Sequence, residues 1–411
     1  MSSKWLSLEE ALTKALDAAK AINDVEQVSI FDANNRILAQ DVTAHVDVPP
    51  WDNSAMDGYA VNAEDLKHSG KLEVQGVITA GMSADEPLEK GKAFKIMTGA
   101  PVPANANAVV MVENTESHDG AVLINKIPSA QENIRKKAND IASGDTLISK
   151  GTRLHAEHLM LLSSQGNSKV AVFRKLRVGV VATGSELAAP GEPCKSTQIF
   201  ESNRVGVSSI LSNENVELVD FGIVEDDEAS LRKLFIEASE RVDVMVSSGG
   251  VSVGDADYVK DIIAELGTID FWKVAVKPGK PFALGKINNT LFCGLPGNPV
   301  SSFVTAKLLV VPVIKKMQGQ VQPHEQFFVN ASITTPLKRR AGRRDFQRAT
   351  MVRNNQGEWE VTPFKSQSSG VMTSITSANC LMVVHEDISE LKVAIRFRVY
   401  RYIFNKFVVE T

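Results

Sequence analysis

A chain of 411 residues has room for roughly two to four domains. Its apolar fraction of 43% and charged fraction of 23% are those of a globular protein with real cores, and a net charge of −4 excludes a generally basic nucleic-acid binder. Three scattered cysteines, Cys194, Cys293 and Cys380, offer neither a disulfide framework nor a CxxC metal site. With no secretory signal and no apolar run long enough to span a bilayer, the expectation is a cytoplasmic protein without a membrane partner.

Ser7-Leu8-Glu9-Glu10 has the form of a capping box, and Leu8, Leu12 and Leu16 fall on one face of the helix it would open. From about Val25 to Leu154 short strands are broken by Pro and Gly. Val46–Pro50, Phe94–Pro101 and Ala108–Val112 are examples, and their texture predicts a β-rich module. A helix over about His155–Ser164 leads out of it. Near Leu176 the pattern changes. Arg177–Ala182 is a buried-strand run, followed by a helix over Asn203–Asn213 and a strand over Glu217–Ile223. A helix over Glu228–Ala238, which Asp226-Asp227 can cap, then precedes the strand Asp243–Ser248. Such alternation predicts a parallel sheet with helices on both faces, whose ligands bind at the carboxyl ends of the strands. After about Gln320 short β-like runs return, among them Phe327–Ile333 and Trp359–Thr362, as a small C-terminal β-domain.

The most informative junction is the last of those strands running into Gly249-Gly250-Val251-Ser252-Val253-Gly254-Asp255-Ala256-Asp257. Glycines there let backbone N–H groups approach an anion. Asp257 beside a phosphate implies a cation or a proton transfer. Two Gly/Pro turns come next, Lys277–Pro281 and Gly294–Pro299, the first carrying paired lysines. Neither GxxxxGK[ST] nor GxGxxG occurs, so a P-loop or dinucleotide reading has no support. Asp52–Ala60 sets two carboxylates on a turn after Pro49-Pro50, which is either a solvated Asx-turn or a carboxylate presented to Mg²⁺ or a proton. The basic runs Arg135-Lys136-Lys137, Lys338-Arg339-Arg340 and Arg343-Arg344 read, in isolation, as solvated faces. His155 and His158 share a helix face without HExxH or a Cys partner, and are not expected to bind metal.

Taken in order, Asp52–Ala60, Ile96–Pro103, Asn133–Arg135, Ser247–Gly254, Lys277–Pro281, Gly294–Pro299 and Asp345–Arg348 resemble one family, the molybdopterin molybdenumtransferases of the MoeA type, related to the C-terminal part of gephyrin. Each stretch is weak alone; the ordered set covers nearly the whole chain. The resemblance implies Mg²⁺-dependent insertion of molybdate into adenylylated molybdopterin with release of AMP. It also implies a homodimer with a shared active site, supplied by the molybdopterin adenylyltransferase. The implied fold is multidomain α/β plus β. It comprises a discontinuous N-terminal domain (1–44 and 145–175), a β-rich inserted domain (45–144), a doubly wound, mainly parallel α/β molybdopterin-binding domain (176–326) and a C-terminal β-domain (327–411).

The same resemblance assigns residues. Asp57, Thr98, Asp226 and Asp257 would be catalytic, with Asp226 and Asp257 on Mg²⁺. Arg135, Asp140, Thr183, Gly184, Glu186, Ser248, Gly249, Gly250, Ser252, Gly254, Lys273, Pro296, Gly297, Asn298 and Pro299 would bind the pterin substrate. Lys277, Lys280, Pro281, Arg348 and Ser369 would hold molybdate. Three positions depart from the family pattern: Ser185 replaces an Asp, Asn139 precedes Asp140 where Glu is usual, and Ser368-Ser369 stands for Gly-Ser. The rival readings are the upstream adenylylation of molybdopterin, against which the extra β-rich modules speak, and a gephyrin-like scaffold, for which no receptor-binding tail or long linker is present.

Overall fold

The protein is described by a computed structural model over residues 5–67, 69–250, 258–321, 328–393 and 396–401. The chain divides into two compact units, one of Met1–Ala39, Gly151–His155 and Lys169–Thr411, the other of Gln40–Lys150 and Ala156–Ser168.

In the first unit the helix Leu8–Ala18 opens on the expected capping box: Glu10 N–H donates to Ser7 Oγ at 3.0 Å, and Ser7 N–H donates to the Glu10 carboxylate at 2.7 Å. Ala11 and Ala15 are buried in the helix interior face, with Leu8 and Leu12 packed beside them. The strand Val25–Ser29 pairs antiparallel with Lys169–Phe173, so segments on either side of the second unit meet in one ladder.

A six-stranded sheet forms the centre. Its order is Glu217–Val224, Arg177–Thr183, Val244–Ser248, Thr290–Leu295, Pro281–Ile287 and Gly267–Lys273. The first four strands are parallel, Pro281–Ile287 runs antiparallel to them, and Gly267–Lys273, antiparallel to its neighbour, runs with the first four again. Alternation along these strands feeds two cores. Val178, Val180, Val244 and Val246 face the helix Asn203–Ser212 and the helical run through Pro299–Met317. Val181, Met245 and Phe292 face Leu231, Leu234 and Phe235 of Glu228–Arg241 and Ile262 and Ile263 of Tyr258–Leu266. Covered on both faces, the strands are apolar almost throughout, as a parallel sheet requires. The fold is thus the doubly wound, mainly parallel α/β architecture.

The C-terminal strands Arg344–Arg353, Trp359–Pro363, Phe328–Ile333, Arg396–Arg401 and Cys380–Val384 pair in that order, and the last pairs back onto the first, closing a small barrel around Ala349, Met351, Val361 and Met382. The short strand Val276–Lys277 leaves the α/β sheet and joins this barrel, parallel to Arg344–Arg353, with Lys277 opposite Asp345.

The second unit is built on a mixed sheet in the order Ala108–Met111, Gly58–Val61, Lys92–Ile96, Lys71–Ile78, Ala121–Ile124 and Thr115–His118. It also contains the helix Ala156–Ser164. Val46–Pro50, expected to be a strand, is not one: only Val48 makes a bridge, to Ile141, because Pro49 and Pro50 have no N–H to continue a ladder.

Candidate active site

Four parallel strands end side by side, and the residues just beyond their carboxyl ends line one cleft of about 790 Å³. Arg177–Thr183 delivers Thr183, Gly184 and Glu186; Glu217–Val224 delivers Asp226; Val244–Ser248 delivers Gly249 and Gly250; Thr290–Leu295 delivers Pro296, Gly297 and Asn298. The opposite wall is the turn Lys277–Pro281 together with Arg343, Gln367, Ser368 and Ser369 of the C-terminal barrel.

Gly249 and Gly279 are sterically required. Gly249 has φ +99°, and a Cβ there would lie 2.5 Å from the carbonyl oxygen of Thr183. Gly279 has φ +111°, and its Cβ would lie 2.4 Å from Thr305 Oγ1. The Asn298 turn is pinned from outside, since Asn203 Nδ2 donates to the Gly297 carbonyl at 2.6 Å.

Charge is divided across the cleft. On the sheet side, burial first and then the neighbouring carboxylates of Glu186 and Asp227 lift the Asp226 carboxyl above the usual range. Asp227 is committed to the helix Glu228–Arg241, accepting from Ser230 N–H at 3.0 Å, and it does not line the cleft. On the other side Lys277 Nζ lies 3.5 Å from the carboxylate of Asp345, which is buried (1% exposed) and 3.8 Å from Arg339.

Arg348, expected on molybdate, lies behind this wall rather than in it. It is 1% exposed, and its guanidinium donates to Ser374 Oγ at 3.1 Å and to the Ser368 carbonyl at 3.2 Å. Gln367 reinforces the same loop: its carboxamide accepts from Arg348 N–H and donates to the Arg348 carbonyl, both at 3.0 Å, in place of a missing strand partner. Both serines of the Ser368-Ser369 pair line the cleft. Ser248 is buried at its strand end, Lys273 pairs with Pro281 in the sheet, and Pro299 opens the helix Pro299–Thr305; none of the three lines the cleft. Ser252, Gly254 and Asp257 lie outside the described residues.

Arg343, Gln367 and Ser301 are cleft residues that the motifs did not single out. Arg343 sits in a basic run with the pattern of a solvated face. Gln367 had no signal beyond its position next to the serine pair.

In the second unit, Asp57 Oδ1 accepts from Thr98 N–H at 2.7 Å and from Thr98 Oγ1 at 2.9 Å, bonds that hold the Asp57 carboxyl below its ordinary value. Arg135 is exposed on a short ladder opposite Asn53, shortly before Asp57 in the chain. Its neighbours Lys136 and Lys137 are ion-paired with Asp52 and Asp47 at 2.7 and 3.2 Å. Asp140 donates its backbone N–H to the Val48 carbonyl in an exposed turn. No helix of the described residues is long and apolar enough to cross a membrane.

Three family profiles match the chain in order. They are "MoeA N-terminal region (domain I and II)" over residues 6–166, "Probable molybdopterin binding domain" over 179–316 and "MoeA C-terminal region (domain IV)" over 330–400. A molybdopterin molybdenumtransferase of Haemophilus influenzae is 41% identical over 383 residues, covering 93% of this chain and 95% of that protein. Molybdopterin molybdenumtransferase 2 of Mycobacterium tuberculosis is 32% identical, covering 91% and 94%. Among solved structures, the molybdopterin biosynthesis MoeA protein of Pyrococcus horikoshii superposes with a TM-score of 0.83 at 28% identity, covering 97% of this chain and all of that one. Another crystal structure of a molybdopterin biosynthesis MoeA protein from the same organism gives 0.80 at 33% identity, covering 97% and 99%. On this identity over nearly its full length, the chain belongs to the molybdopterin molybdenumtransferases, transferases of molybdenum cofactor biosynthesis.

Proposed function

We propose that the protein inserts molybdate into adenylylated molybdopterin in a Mg²⁺-dependent reaction that releases AMP. The observation that carries this reading is the cleft itself. It brings two carboxylates, Asp226 and Glu186, and the cationic turn Lys277–Pro281 to one 790 Å³ space at the ends of four parallel strands. An adenylylated pterin is a pyrophosphate that needs a cation, and molybdate is a dianion that needs positive charge and hydroxyls.

Magnesium is typically held by one or two carboxylates and completed by substrate phosphates and water. Asp226 and Glu186 fit this role: burial first and then the carboxylates of Glu186 and Asp227 raise Asp226, and a divalent cation would offset both the desolvation and the repulsion. Among the described residues no group of three or more His, Cys, Asp or Glu side chains is placed to hold a metal ion. Asp257 is proposed as a further ligand from the resemblance. The ion, when bound, neutralises the pyrophosphate.

Gly249, Gly250 and the Pro296–Asn298 turn let the backbone come close to the substrate, as Thr183 and Gly184 do. Lys277 and Lys280 would bind and orient molybdate, with a hydroxyl from Ser369 or Ser368. Arg348 acts through the serine loop it holds. Release of AMP is substitution at phosphorus, so positioning and charge screening carry it without a side-chain nucleophile.

From the same resemblance we propose the four-domain division given above, a cytoplasmic homodimer whose sites are shared, with Asp57, Thr98, Arg135 and Asp140 supplied by the partner, and receipt of substrate from the adenylyltransferase. The test is direct. Purified protein with adenylylated molybdopterin should yield AMP only when molybdate and Mg²⁺ are both present. Consumption of ATP with free molybdopterin would establish the upstream adenylylation instead.

A further inference from the structure

The turn Pro296-Gly297-Asn298-Pro299 meets the cleft with its backbone, and its polar groups can be followed one by one. Pro296 and Pro299 have no N–H to offer. The Asn298 carbonyl accepts from Ser302 N–H at 2.9 Å, and Val300 N–H, just past the turn, donates to the Ser369 carbonyl at 3.3 Å. The Gly297 carbonyl accepts from Asn203 Nδ2 at 2.6 Å. The N–H groups of Gly297 and Asn298 are left over. Both residues are exposed, and neither N–H donates a hydrogen bond among the described residues.

Asn203 does not line the cleft. It lines a separate, mostly apolar pocket of about 150 Å³ together with Val207, Pro299, Phe303, Met372 and Ile375. As the first residue of the helix Asn203–Ser212 it is not needed as a cap, since Glu201, 3% exposed, takes the Arg204 N–H at 2.6 Å. Its Oδ1 is buried without a hydrogen-bond partner, so an amide here carries a desolvation cost that an apolar side chain would avoid. The bond to Gly297 is what the amide provides in return. That bond acts on the cleft through peptide geometry. The Gly297 carbonyl and the Asn298 N–H belong to one trans peptide, whose plane points them in opposite directions. A donor that draws the carbonyl towards Asn203 therefore turns the Asn298 N–H away from Asn203, towards the cleft that Asn298 lines. Hydrogen bonding at the carbonyl also polarises the peptide and makes its N–H a stronger donor. Gly297 leaves room for an acceptor, because a Cβ there would meet nothing within 4 Å and the fold itself does not require glycine.

We infer that Asn203 is a positioning residue: from behind the turn it fixes the Gly297–Asn298 peptide so that the Asn298 N–H is aimed at an acceptor oxygen of the substrate. The inference rests on the proposed function only in naming that substrate as an adenylylated pterin. Asn203 itself touches no reacting atom, and its effect reaches the cleft through one backbone peptide.

Gly-Asn occurs only twice in the chain, at Gly166-Asn167 and Gly297-Asn298. Protein made with carbonyl-¹³C glycine and ¹⁵N asparagine therefore gives two amide signals in a carbonyl-selected NMR spectrum, and the Asn167 signal serves as control. The probes are adenylylated molybdopterin without molybdate, and AMP. Either probe at saturation should move the Asn298 signal of the wild type and leave that of Asn167 in place. Asn203→Leu keeps the side chain's size in a mostly apolar pocket and removes the donor. In the free variant the Asn298 signal should move, and its response to the probes should shrink. The KM for adenylylated pterin should rise roughly three- to tenfold, with the molybdate requirement at saturating pterin unchanged. An Asn298 signal that neither probe moves in the wild type would overturn the inference, whether or not the variant folds. A variant with wild-type KM would overturn it too. A lowered melting temperature with both substrate requirements raised in step would reduce Asn203 to a structural residue. If AMP moves the Asn298 signal but adenylylated pterin yields no AMP, the proposed reaction fails and the positioning role stands.

Discussion

Adjacent aspartates at 226 and 227 have opposite environments, and the contrast makes a pH test. Asp227 is the helix cap and its carboxyl is lowered by bonds to Ser230, whereas Asp226 is raised by burial and by its acidic neighbours. A carboxyl raised in the folded state binds protons more tightly there, so stability falls as pH rises from the unfolded value, near 4, through the higher folded value. Asp226→Asn should therefore melt higher than wild type at pH 7 and match it at pH 3. Mg²⁺ should raise the wild-type melting temperature more than that of the variant, and the variant's AMP release should collapse. Equal Mg²⁺ responses would remove Asp226 from the metal. Across the cleft, Lys277→Ala or Lys280→Ala should raise the molybdate requirement, at a cost on the order of 2–4 kcal/mol, with pterin binding retained. Pterin affinity lost in step would assign these lysines to the nucleotide phosphates. The local pattern offered both aspartates as caps, and only the resemblance singled out Asp226, because the division depends on Glu186, which another strand delivers. The basic run was equally opaque. Arg339, Arg343 and Arg344 are near neighbours in sequence, yet one closes a turn, one lines the cleft and one pairs with Glu9 and Glu386.

Elements were more legible than contacts. The capping box at Ser7 and the strand–helix alternation after Leu176 are local signals, and the corresponding helices and strands form within a few residues of the expected bounds. What no local pattern announced is that Val276–Lys277 would leave its own sheet and pair with Arg344–Arg353. That pairing places the lysine turn between the α/β sheet and the barrel. Gly279 is the residue on which the turn depends, since its φ of +111° and the 2.4 Å approach to Thr305 leave no room for a side chain. Gly279→Ala should destabilise by about 1–3 kcal/mol and raise the molybdate requirement as the lysines shift. Gly206 provides the contrast. It lies within the helix Asn203–Ser212 with open space where a Cβ would go, so Gly206→Ala should stabilise by about 0.5–1 kcal/mol in denaturant titration. If Gly279→Ala unfolds no sooner than wild type, the turn is not held as described.

For the whole molecule, the ordered motifs were sufficient to recognise the family as a set: Lys277–Pro281 and Gly294–Pro299 are Gly/Pro turns, whereas Asp345–Arg348 lies inside the strand Arg344–Arg353, and it is their order along nearly the whole chain that is specific. They say nothing of how one chain's motifs divide among sites. The motifs around Asp57 and Thr98 belong to one compact unit and the cleft to the other. If, as proposed, each active site combines Asp57 of one subunit with Asp226 of its partner, complementation will reveal it. Asp57→Ala and Asp226→Ala should each be inactive as homodimers. Unfolded together and refolded as an equal mixture, about half of the dimers should be heterodimers. In each heterodimer one site carries both substitutions and the other carries neither. Activity should therefore return to roughly a quarter of the wild-type value. Native mass spectrometry must show the heterodimer in the refolded mixture. Heterodimers without activity would mean that both aspartates serve a site within one subunit, since every such site would then retain one substitution. Activity near a quarter requires that the two aspartates of a working site come from different chains.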